Sequence, residues 1–494
     1  MHELELFLRC DQAPGEALEV GLPIDALARI PGIPDIAPPR ATIKPDPGGD
    51  PSSLRDQGWG VIIGRGEQGA RLLALAAPLL EKRAGDQRAE VTIYRVPPDM
   101  DAPRAARWLR RIFLGDSLEH EIPGYVLILG GFDQVSLELQ QVLSTEPHVH
   151  VGRLAFEREE QYEAYIAKLL RSERAVPGKL ARGLFFTAQD GTRATDLGRL
   201  RLMGPTLASA RTLREQGRFP AHELIEIPGY GPTAGDQLLA AAAGEGPAIL
   251  FSCSHGLGPP RDGWPSLDDQ RARQGALWAG ENQAISGDLL RDRPFLPDGV
   301  WLFFACFGAG TPARSAYAHW LHRLAELGEH VGDVDAVLAA LPPEGSSPFV
   351  AALPRAALAN PRGPLAIIGH VDLAWSYSFI ALEELGKRAR HNRFVTLLQQ
   401  LARGGRAGLA LSTLLRARER VKLDVAIAAD HEQRGGPARD AVHSEAERIR
   451  MGHRWMLHQD INGYILLGDP AARLAIDPGD AWGEALGDDH RRTP

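Results

Sequence analysis

The sequence has 494 residues, of which 44% are hydrophobic and 24% are charged. This balance is typical of a soluble globular protein, and the length is sufficient for two or three domains. The formal net charge of −8 argues against a nucleic-acid partner bound through its phosphates. No apolar run approaches the roughly 18 residues that a membrane-spanning helix needs, so no membrane partner is predicted.

The first residues and the cysteines favour a cytoplasmic location. The opening Met1–Glu5 lacks the basic and apolar regions of a secretory signal. The three cysteines, Cys10, Cys253 and Cys306, are odd in number and far apart in the sequence. This spacing does not favour a disulfide framework. We therefore expect free thiols, one of which is a candidate nucleophile.

The chain begins with a segment that predicts little packed structure. Residues 31–57 are rich in Pro, Gly and Asp, which indicates a linker or an extended arm. Residues 1–57 are therefore predicted to form an N-terminal segment. From Trp59 onward, short apolar runs alternate with amphipathic helices, the pattern of a parallel sheet with crossover helices.

This alternation predicts an α/β protein with two subdomains, over residues 58–180 and 181–476, followed by a polar tail at 477–494. The predicted strands of the first block are 61–63, 91–96 and 125–130, with helices at 70–82, 102–113 and 157–174. The predicted strands of the second block are 184–187, 248–252, 300–305 and 365–368, with helices at 207–216, 236–243 and 313–325 and a last apolar run at 464–467.

Two strand ends of the second block carry reactive side chains. His255 follows the strand at 248–252, and Cys306 follows the strand at 300–305. Ligands bind beyond the carboxyl ends of the strands in an open parallel sheet, so both side chains are expected to face one cleft. There the cysteine thiolate would attack a carbonyl carbon, and the histidine would transfer a proton to the departing amine.

The neighbours of this pair complete the predicted chemistry. The N–H groups of Gly256 and Cys306 are candidates for an oxyanion hole. A helix that begins near Thr311 would favour the thiolate if its N-terminus pointed at the sulfur. On spacing alone, a buried structural cysteine and a hydrogen-bonded structural histidine explain the pattern equally well.

The two strand ends resemble the His-Gly and Ala-Cys signatures of the caspase-like (clan CD) cysteine peptidases. The matching residues are Ser254-His255-Gly256 and Ala305-Cys306-Phe307-Gly308. Three more segments, in order along the chain, resemble the gingipain branch of that clan. They are the strand at 125–130 with the Val-Gly-Arg-Leu segment at 151–154, the strand at 365–369, and the Leu-Gly-Asp-Pro motif at 467–470.

The resemblance covers residues 58 to 476 and implies two caspase-like subdomains, each with three layers (α/β/α) and a mostly parallel sheet. It implies that Cys306 is the nucleophile and His255 the catalytic histidine of an endopeptidase that needs no metal or cofactor. The separation between them is longer than in gingipains. It contains residues 274–280 and 284–290, which predict a hairpin and a short helix.

The resemblance also implies where substrate specificity would arise, between residues 189–193 and 370–375. Asp190 or Asp372 at the pocket floor would select Arg or Lys, whereas Arg193 would select Asp. Trp375 could form a wall of the pocket. We slightly favour cleavage after basic residues, although each of these side chains is also explained as a solvated loop residue. The expected partners are a protein or peptide substrate and an activating protein.

Two other functions remain open. The caspase-like fold could be a non-catalytic scaffold that binds a partner. Gly64-Arg65-Gly66-Glu67-Gln68-Gly69 matches the dinucleotide-binding pattern G-x-G-x-x-G after a strand. The next strand ends in Tyr94-Arg95 and lacks the acidic residue that would bind a ribose hydroxyl. An arginine could bind a 2′-phosphate, so an NADP-dependent oxidoreductase stays open. A tight strand-to-helix turn is favoured, because a chain with 53 glycines produces this pattern by chance.

Overall fold

One large sheet organises the protein, and ten strands of the described residues belong to it. The computed structural model describes residues 3–4, 6–11, 22–23, 49–114, 122–178, 180–260, 263–280, 283–328, 334–343, 345–381, 388–418 and 445–477.

The strands of these residues are, in chain order, β1 (Glu3–Leu4), β2 (Leu8–Asp11), β3 (Leu22–Pro23), β4 (Trp59–Gly64), β5 (Thr92–Val96), β6 (Tyr125–Leu129), β7 (His150–Leu154), β8 (Ala181–Thr187), β9 (Ala221–Ile227), β10 (Ala248–Cys253), β11 (Gly256–Pro260), β12 (Leu277–Gly280), β13 (Gln283–Ile285), β14 (Val300–Phe304), β15 (Gly310–Thr311), β16 (Phe349–Val350), β17 (Ala366–His370), β18 (Ile380–Ala381), β19 (Arg388–Ala389) and β20 (Tyr464–Gly468).

The helices that the structure describes are α1 (Leu54–Gln57), α2 (Glu67–Leu75), α3 (Ala77–Gln87), α4 (Ala102–Trp108), α5 (Leu137–Leu143), α6 (Glu159–Arg174), α7 (Arg193–Gly198), α8 (Gly204–Glu215), α9 (Ala234–Ala242), α10 (Leu267–Arg273), α11 (Gly287–Leu290), α12 (Ala318–Leu327), α13 (Val334–Ala340), α14 (Ala352–Ala359), α15 (Asn392–Ala402), α16 (407–418) and α17 (Glu445–Asn462). Within the described ranges, none of them is both long and apolar enough to cross a membrane.

The strand order of the central sheet is β5-β4-β6-β7-β20-β17-β14-β10-β8-β9. Neighbouring strands are parallel except β17 and β20, which are antiparallel. Because β20 is parallel to β7, the strands on the two sides of the β17–β20 junction run in opposite directions. The predicted α/β class with a mostly parallel sheet is confirmed.

Burial explains why the sequence pattern located most strands. In β4, β6, β10, β14 and β17 every residue is buried, since helices cover both faces of the sheet. Strand β9 at the sheet edge is only partly buried, and polar residues interrupt its apolar ones. No strand was predicted there, because it lacks the continuous apolar run of a fully buried strand.

Other predicted elements differ in detail. A hairpin and a short helix are present after residue 274, as predicted, but the second hairpin strand, β13, includes residues 284–285, which were predicted as helix, and α11 begins at Gly287. The helix predicted at 70–82 is two helices that meet at Ala76, and Pro78 lies in the first turn of the second one, where proline is tolerated. Residues 54–57, predicted as the end of a linker, form α1, in which Leu54 is buried.

The predicted boundaries at residues 57, 180 and 476 stay predictions. Both predicted subdomains contribute strands to the same ten-stranded sheet, so no break in hydrogen bonding between strands marks residue 180. Residues 31–48 of the predicted linker and the tail after 477 lie outside the described residues.

A buried carboxylate directly after β20 connects the last strand to the first block. Asp469 is fully buried and accepts hydrogen bonds from Trp59 Nε1 at 3.0 Å and from Arg83 Nε at 3.0 Å. The Asp469 N–H in turn donates to the Tyr165 hydroxyl at 2.8 Å. Burial acts to lower the pKa of Arg83, but the charges of Asp469 and Glu173 outweigh it and raise that pKa.

We expect Asp469→Asn to lower the free energy of unfolding by about 3 kcal/mol, because a buried guanidinium loses a charged partner. Urea denaturation of the full chain measures this loss. The matched control is Asp99→Asn, since Asp99 pairs with Arg104 where both side chains are exposed (74% and 54%). It should change the stability by less than about 1 kcal/mol. Equal losses in the two variants would contradict the anchoring role of Asp469.

Candidate active site

The parallel register of β10 and β14 brings the two reactive side chains together. Cys253 pairs with Phe304 at the strand ends, so His255 and Cys306 each follow by two residues. Both therefore lie at the same carboxyl edge of the sheet. Neither side chain has any exposed surface.

Glycine is required at position 256, because the backbone there lies very close to the backbone of Cys306. A Cβ on Gly256 would lie 1.8 Å from the carbonyl oxygen of Cys306, so no other residue fits without moving the backbone. The amides of both residues donate to one acceptor, the carbonyl oxygen of Phe7, at 3.0 and 3.2 Å. These are the two N–H groups that were predicted from the sequence as candidates for an oxyanion hole.

Phe7 belongs to a stretch that passes directly over this edge, which we call the Phe7 segment (residues 6–11). Its β2 part pairs in parallel with β11 and completes a four-stranded sheet in the order β13-β12-β11-β2. Before β2, Leu6 forms an antiparallel bridge with Trp375. The Phe7 segment therefore runs between β11, which begins after His255, and the loop after β17 that contains Trp375.

A carboxylate and a hydroxyl lie beside the imidazole of His255. Its Nε2 lies 2.8 Å from Thr192 Oγ1 and 3.7 Å from Asp190 Oδ2. Asp190 Oδ1 accepts hydrogen bonds from the hydroxyls of Thr192 and Thr195 at 2.7 and 2.8 Å. Burial acts to raise the pKa of Asp190, but the charge of His255 and these hydrogen bonds outweigh it and lower that pKa.

The thiol of Cys306 contacts the backbone of the loop after β17. Its Sγ accepts a hydrogen bond from the Ala374 amide at 3.2 Å and lies 3.6 Å from the Ala374 carbonyl oxygen. The next residue, Phe307, has a φ of 55°, which is rare for a bulky side chain. Its N–H donates to the Asp372 carbonyl at 2.8 Å. Such backbone conformations cost energy and cluster at functional sites.

The helix predicted to begin near Thr311 does not exist, which corrects that expectation. Thr311 lies in β15, where it pairs with Phe349, and the next helix, α12, begins at Ala318. Pro312 contributes to this outcome, because the residue before a proline avoids the helical conformation. No helix dipole from residue 311 therefore acts on the Cys306 thiol.

The residues predicted for the specificity pocket lie in different surroundings. Asp190 is next to His255, whereas Arg193 is exposed at the start of α7. Asp372 is buried, and its carboxylate accepts hydrogen bonds from the amides of Ala316 and Leu373, both at 2.8 Å. Trp375 is fully buried and packs against the rings of Tyr317 and Trp320, at 5.8 and 5.7 Å between centroids.

A second buried carboxylate holds the loop that contains Trp375. Asp460 of α17 accepts hydrogen bonds from the Trp375 amide at 2.9 Å and from the Ser378 amide and hydroxyl at 2.8 and 2.6 Å. These bonds fix the backbone on both sides of the 3₁₀ turn Ser376–Ser378. The same loop carries Ala374, so Asp460 positions the contacts of the Cys306 thiol.

Several residues of this site were not found from the sequence. Thr192 is the N-cap of α7 and accepts a hydrogen bond from Thr195 N. A Thr-x-x-Thr pattern after Asp190 is a recognisable capping signal, although it does not reveal the contact with His255. Phe7 is separated from Cys306 by almost 300 residues in the sequence, and its apolar neighbours give no indication of where it packs.

The G-x-G-x-x-G motif and the second buried cysteine have local structural roles. A Cβ on Gly69 would lie 1.9 Å from the Gly64 carbonyl oxygen, as a tight strand-to-helix turn requires. The Cys253 thiol is fully buried, and burial raises its pKa. Across the described part of the chain, no group of three His, Cys, Asp or Glu side chains is arranged to hold a metal ion.

Comparison with known proteins gives only distant structural likenesses. No protein-family model and no curated protein sequence matches the chain. The Arg-specific cysteine proteinase gingipain R is similar at 13% identity and a TM-score of 0.49, over 85% of this chain and 78% of that one. A structure described as a protease has 12% identity and a TM-score of 0.49, over 84% and 78% of the two chains.

The complex of the pro- and mature domains of RgpB from Porphyromonas gingivalis is also similar. It has 12% identity and a TM-score of 0.45, over 84% of this chain and 80% of that one. Likenesses this weak do not decide the chemistry of the protein, which depends on its own residues.

Gly256→Ala should destabilise the protein by about 3 kcal/mol, because the added methyl group overlaps the main chain of Cys306. Gly85→Ala is the matched control, since no atom lies within 4 Å of a Cβ at that position of α3. It should stabilise the protein by up to about 1 kcal/mol, as alanine favours helix more than glycine does. Urea denaturation compares both with the wild type, and a neutral Gly256→Ala would contradict the close approach.

Asp372 should make the stability dependent on pH. Burial raises its pKa to about 6, whereas aspartates of unfolded chains titrate near ~3.9. The folded protein therefore binds this proton more tightly, and the stability it provides below pH ~4 is lost as the pH rises through about 6. Relative to Asp372→Asn, the wild type should lose about 2–3 kcal/mol over that range in urea denaturation. Parallel pH profiles would contradict the burial of an ionisable carboxyl.

Proposed function

We propose that this protein is a cysteine endopeptidase in which Cys306 is the nucleophile and His255 the general acid. One observation carries the proposal. The amides of residues 256 and 306 point at a single carbonyl oxygen of an extended segment, next to a thiol and an imidazole. An oxyanion hole needs two such donors at about 2.7–3.1 Å from the oxygen that becomes negative.

The proposed reaction uses these groups in order. The Cys306 thiolate adds to the carbonyl carbon, and the amides of Gly256 and Cys306 stabilise the oxyanion. The C–N bond then breaks, and His255 gives its proton to the leaving amine. Water hydrolyses the resulting thioester, which yields a free carboxylic acid and restores the thiol. The proposal involves no metal or cofactor.

Asp190 and Thr192 are proposed to position the histidine. Both contact Nε2 of His255, so Nδ1 is the ring nitrogen that would exchange a proton with the thiol and the leaving amine. A negative carboxylate beside the ring stabilises the imidazolium form that protonates the amine. This assigns Asp190 a role other than the predicted floor of a specificity pocket.

The remaining expectations stay predictions. A preference for basic residues, a cytoplasmic location and restraint by an activating protein are all untested. The substrate class follows from the reaction, since an extended peptide is what two backbone amides and a flanking strand can hold.

A non-catalytic scaffold is the second candidate, and the full burial of His255 and Cys306 favours it. A scaffold would keep the thiol inert, because a buried thiol in apolar surroundings is unreactive. The two candidates differ in whether Cys306 reacts faster than Cys253 with a peptide-like reagent.

The test is covalent labelling with peptidyl chloromethylketones that carry Phe, Leu, Arg, Lys or Asp, followed by intact mass and peptide mapping. We expect one adduct on Cys306 in the full chain, at a rate that falls at least about 100-fold in His255→Ala, because general acid–base catalysis contributes about 10²–10⁴-fold. Both the wild type and Phe7→Ala are labelled. In Phe7→Ala the Phe7 segment should bind less tightly beside the thiol.

The matched control for this labelling is Cys253→Ala, which removes the other fully buried thiol and should be labelled like the wild type. No adduct on Cys306 in either the wild type or Phe7→Ala would contradict a peptidase and support the scaffold. Equal labelling of His255→Ala would contradict the role of the histidine.

A further inference from the structure

The Phe7 segment is bound in the way that the proposed reaction requires of a substrate. The Phe7 carbonyl oxygen accepts hydrogen bonds from Gly256 and Cys306, and its N–H donates to the Ala374 carbonyl at 3.2 Å. All three bonds use the main chain of Phe7 and would form with any residue type except proline. They place the Phe7–Leu8 peptide bond where a scissile bond would lie.

The residues on either side of Phe7 extend this arrangement. Leu6 pairs with Trp375 in antiparallel direction, and Leu8 pairs with Gly256 in parallel direction. Addition of a strand to exposed backbone is a common mode of peptide recognition, in which pockets for the side chains provide selectivity. The pocket around the Phe7 ring therefore indicates which side chain the site accepts in the residue before the scissile bond.

This pocket is formed mainly by apolar groups. The Phe7 ring is fully buried and makes edge-to-face contacts with Phe304 and Phe379, at 4.7 and 6.1 Å between centroids. At its far end, a Cβ on Gly198 would lie 3.2 Å from Phe7 Cε1 and 2.8 Å from Cys253 Sγ. The absence of a side chain at Gly198 thus provides the depth for an aromatic ring.

One charged group near this pocket is Asp190, whose Oδ1 accepts two hydrogen bonds while its Oδ2 accepts none and lies 3.7 Å from His255 Nε2. Its oxygens face the hydroxyls of Thr192 and Thr195 and the ring of His255. A guanidinium in the pocket would therefore compete with His255 for the same carboxylate, and its aliphatic stem would lose the aromatic contacts that Phe7 makes. Burial of an incompletely paired cation is unfavourable.

From these contacts we propose that the cleft selects a large apolar residue, best an aromatic one, immediately before the scissile bond, and that the Phe7 segment occupies the cleft in place of substrate. This inference rests on the proposed peptidase function. It differs from the preference for basic residues expected from the sequence.

The first experiment compares fluorogenic amides of Leu-Glu-Leu-Phe, the sequence at residues 4–7, with versions that end in Arg, Asp or Ala. In Phe7→Ala, kcat/KM for the Phe peptide should rise at least about tenfold over the wild type, because truncation of a buried Phe weakens binding of the segment. The same variant should prefer the Phe peptide over the Arg peptide by about tenfold or more. A preference for the Arg peptide would overturn the proposal.

Phe7→Arg distinguishes a pocket that selects apolar residues from one that selects basic residues, without the use of different peptides. If the pocket is apolar, arginine is expelled and the Phe peptide is cleaved faster than by the wild type. If the pocket is basic-selective, arginine binds Asp190, and the rate stays the same or falls, which would overturn the proposal. The matched control is Phe113→Ala, a buried Phe of a separate core cluster, which should not raise the rate.

A third variant tests the depth of the pocket. Gly198→Ala, combined with Phe7→Ala, should lower kcat/KM for the Phe peptide several-fold relative to the Ala peptide, because the methyl group takes the space of the ring edge. An unchanged ratio would contradict the pocket assignment. If Cys306 is labelled in the chloromethylketone experiment but none of these peptides is cleaved preferentially after Phe, only this inference fails. If Cys306 is not labelled at all, the proposed function fails with it.

Discussion

The parallel pairing of β10 and β14 is the constraint on which the candidate site depends. Two neighbouring parallel strands end at the same edge, so the residues just beyond them are neighbours whatever their distance in sequence. His255 and Cys306 use this placement, and the close approach of their backbones leaves room only for glycine at position 256. The two amides that meet there come from the backbone itself and need no further side chain.

Two buried carboxylates support this arrangement from either side. Asp469 connects the end of β20 to β4, α3 and α6, while Asp460 holds the loop that contacts the Cys306 thiol. Each accepts several hydrogen bonds, which offset the cost of removing its charge from water. Both are on or next to the last described helix and strand, so the site on the second block depends on residues that follow it by about 150 positions.

The sequence pattern was sufficient for the strands that are buried on both faces, because these are continuous apolar runs. It was insufficient where polar residues interrupt a partly buried edge strand, as in β9, and where a proline prevents an expected helix, as Pro312 does. His255 and Cys306 were predicted as a pair because each follows an apolar strand and because the two strand ends resemble known signatures. Thr192 and Phe7 reach the site through tertiary contacts that leave no local signal in the sequence. The sequence placed Asp190 near the site, but it did not reveal that this carboxylate lies beside His255.

The position of β20 has a consequence for how the protein is made. Among the described strands it is the last in sequence, yet it lies in the middle of the sheet between β7 and β17. During synthesis on the ribosome, both of those strands are complete long before β20 emerges, and each then presents an edge without its partner strand. Such edges are prone to pair with other chains. The nascent protein is therefore most vulnerable to aggregation until β20 has emerged, and chaperones would have the greatest effect on its yield in that interval.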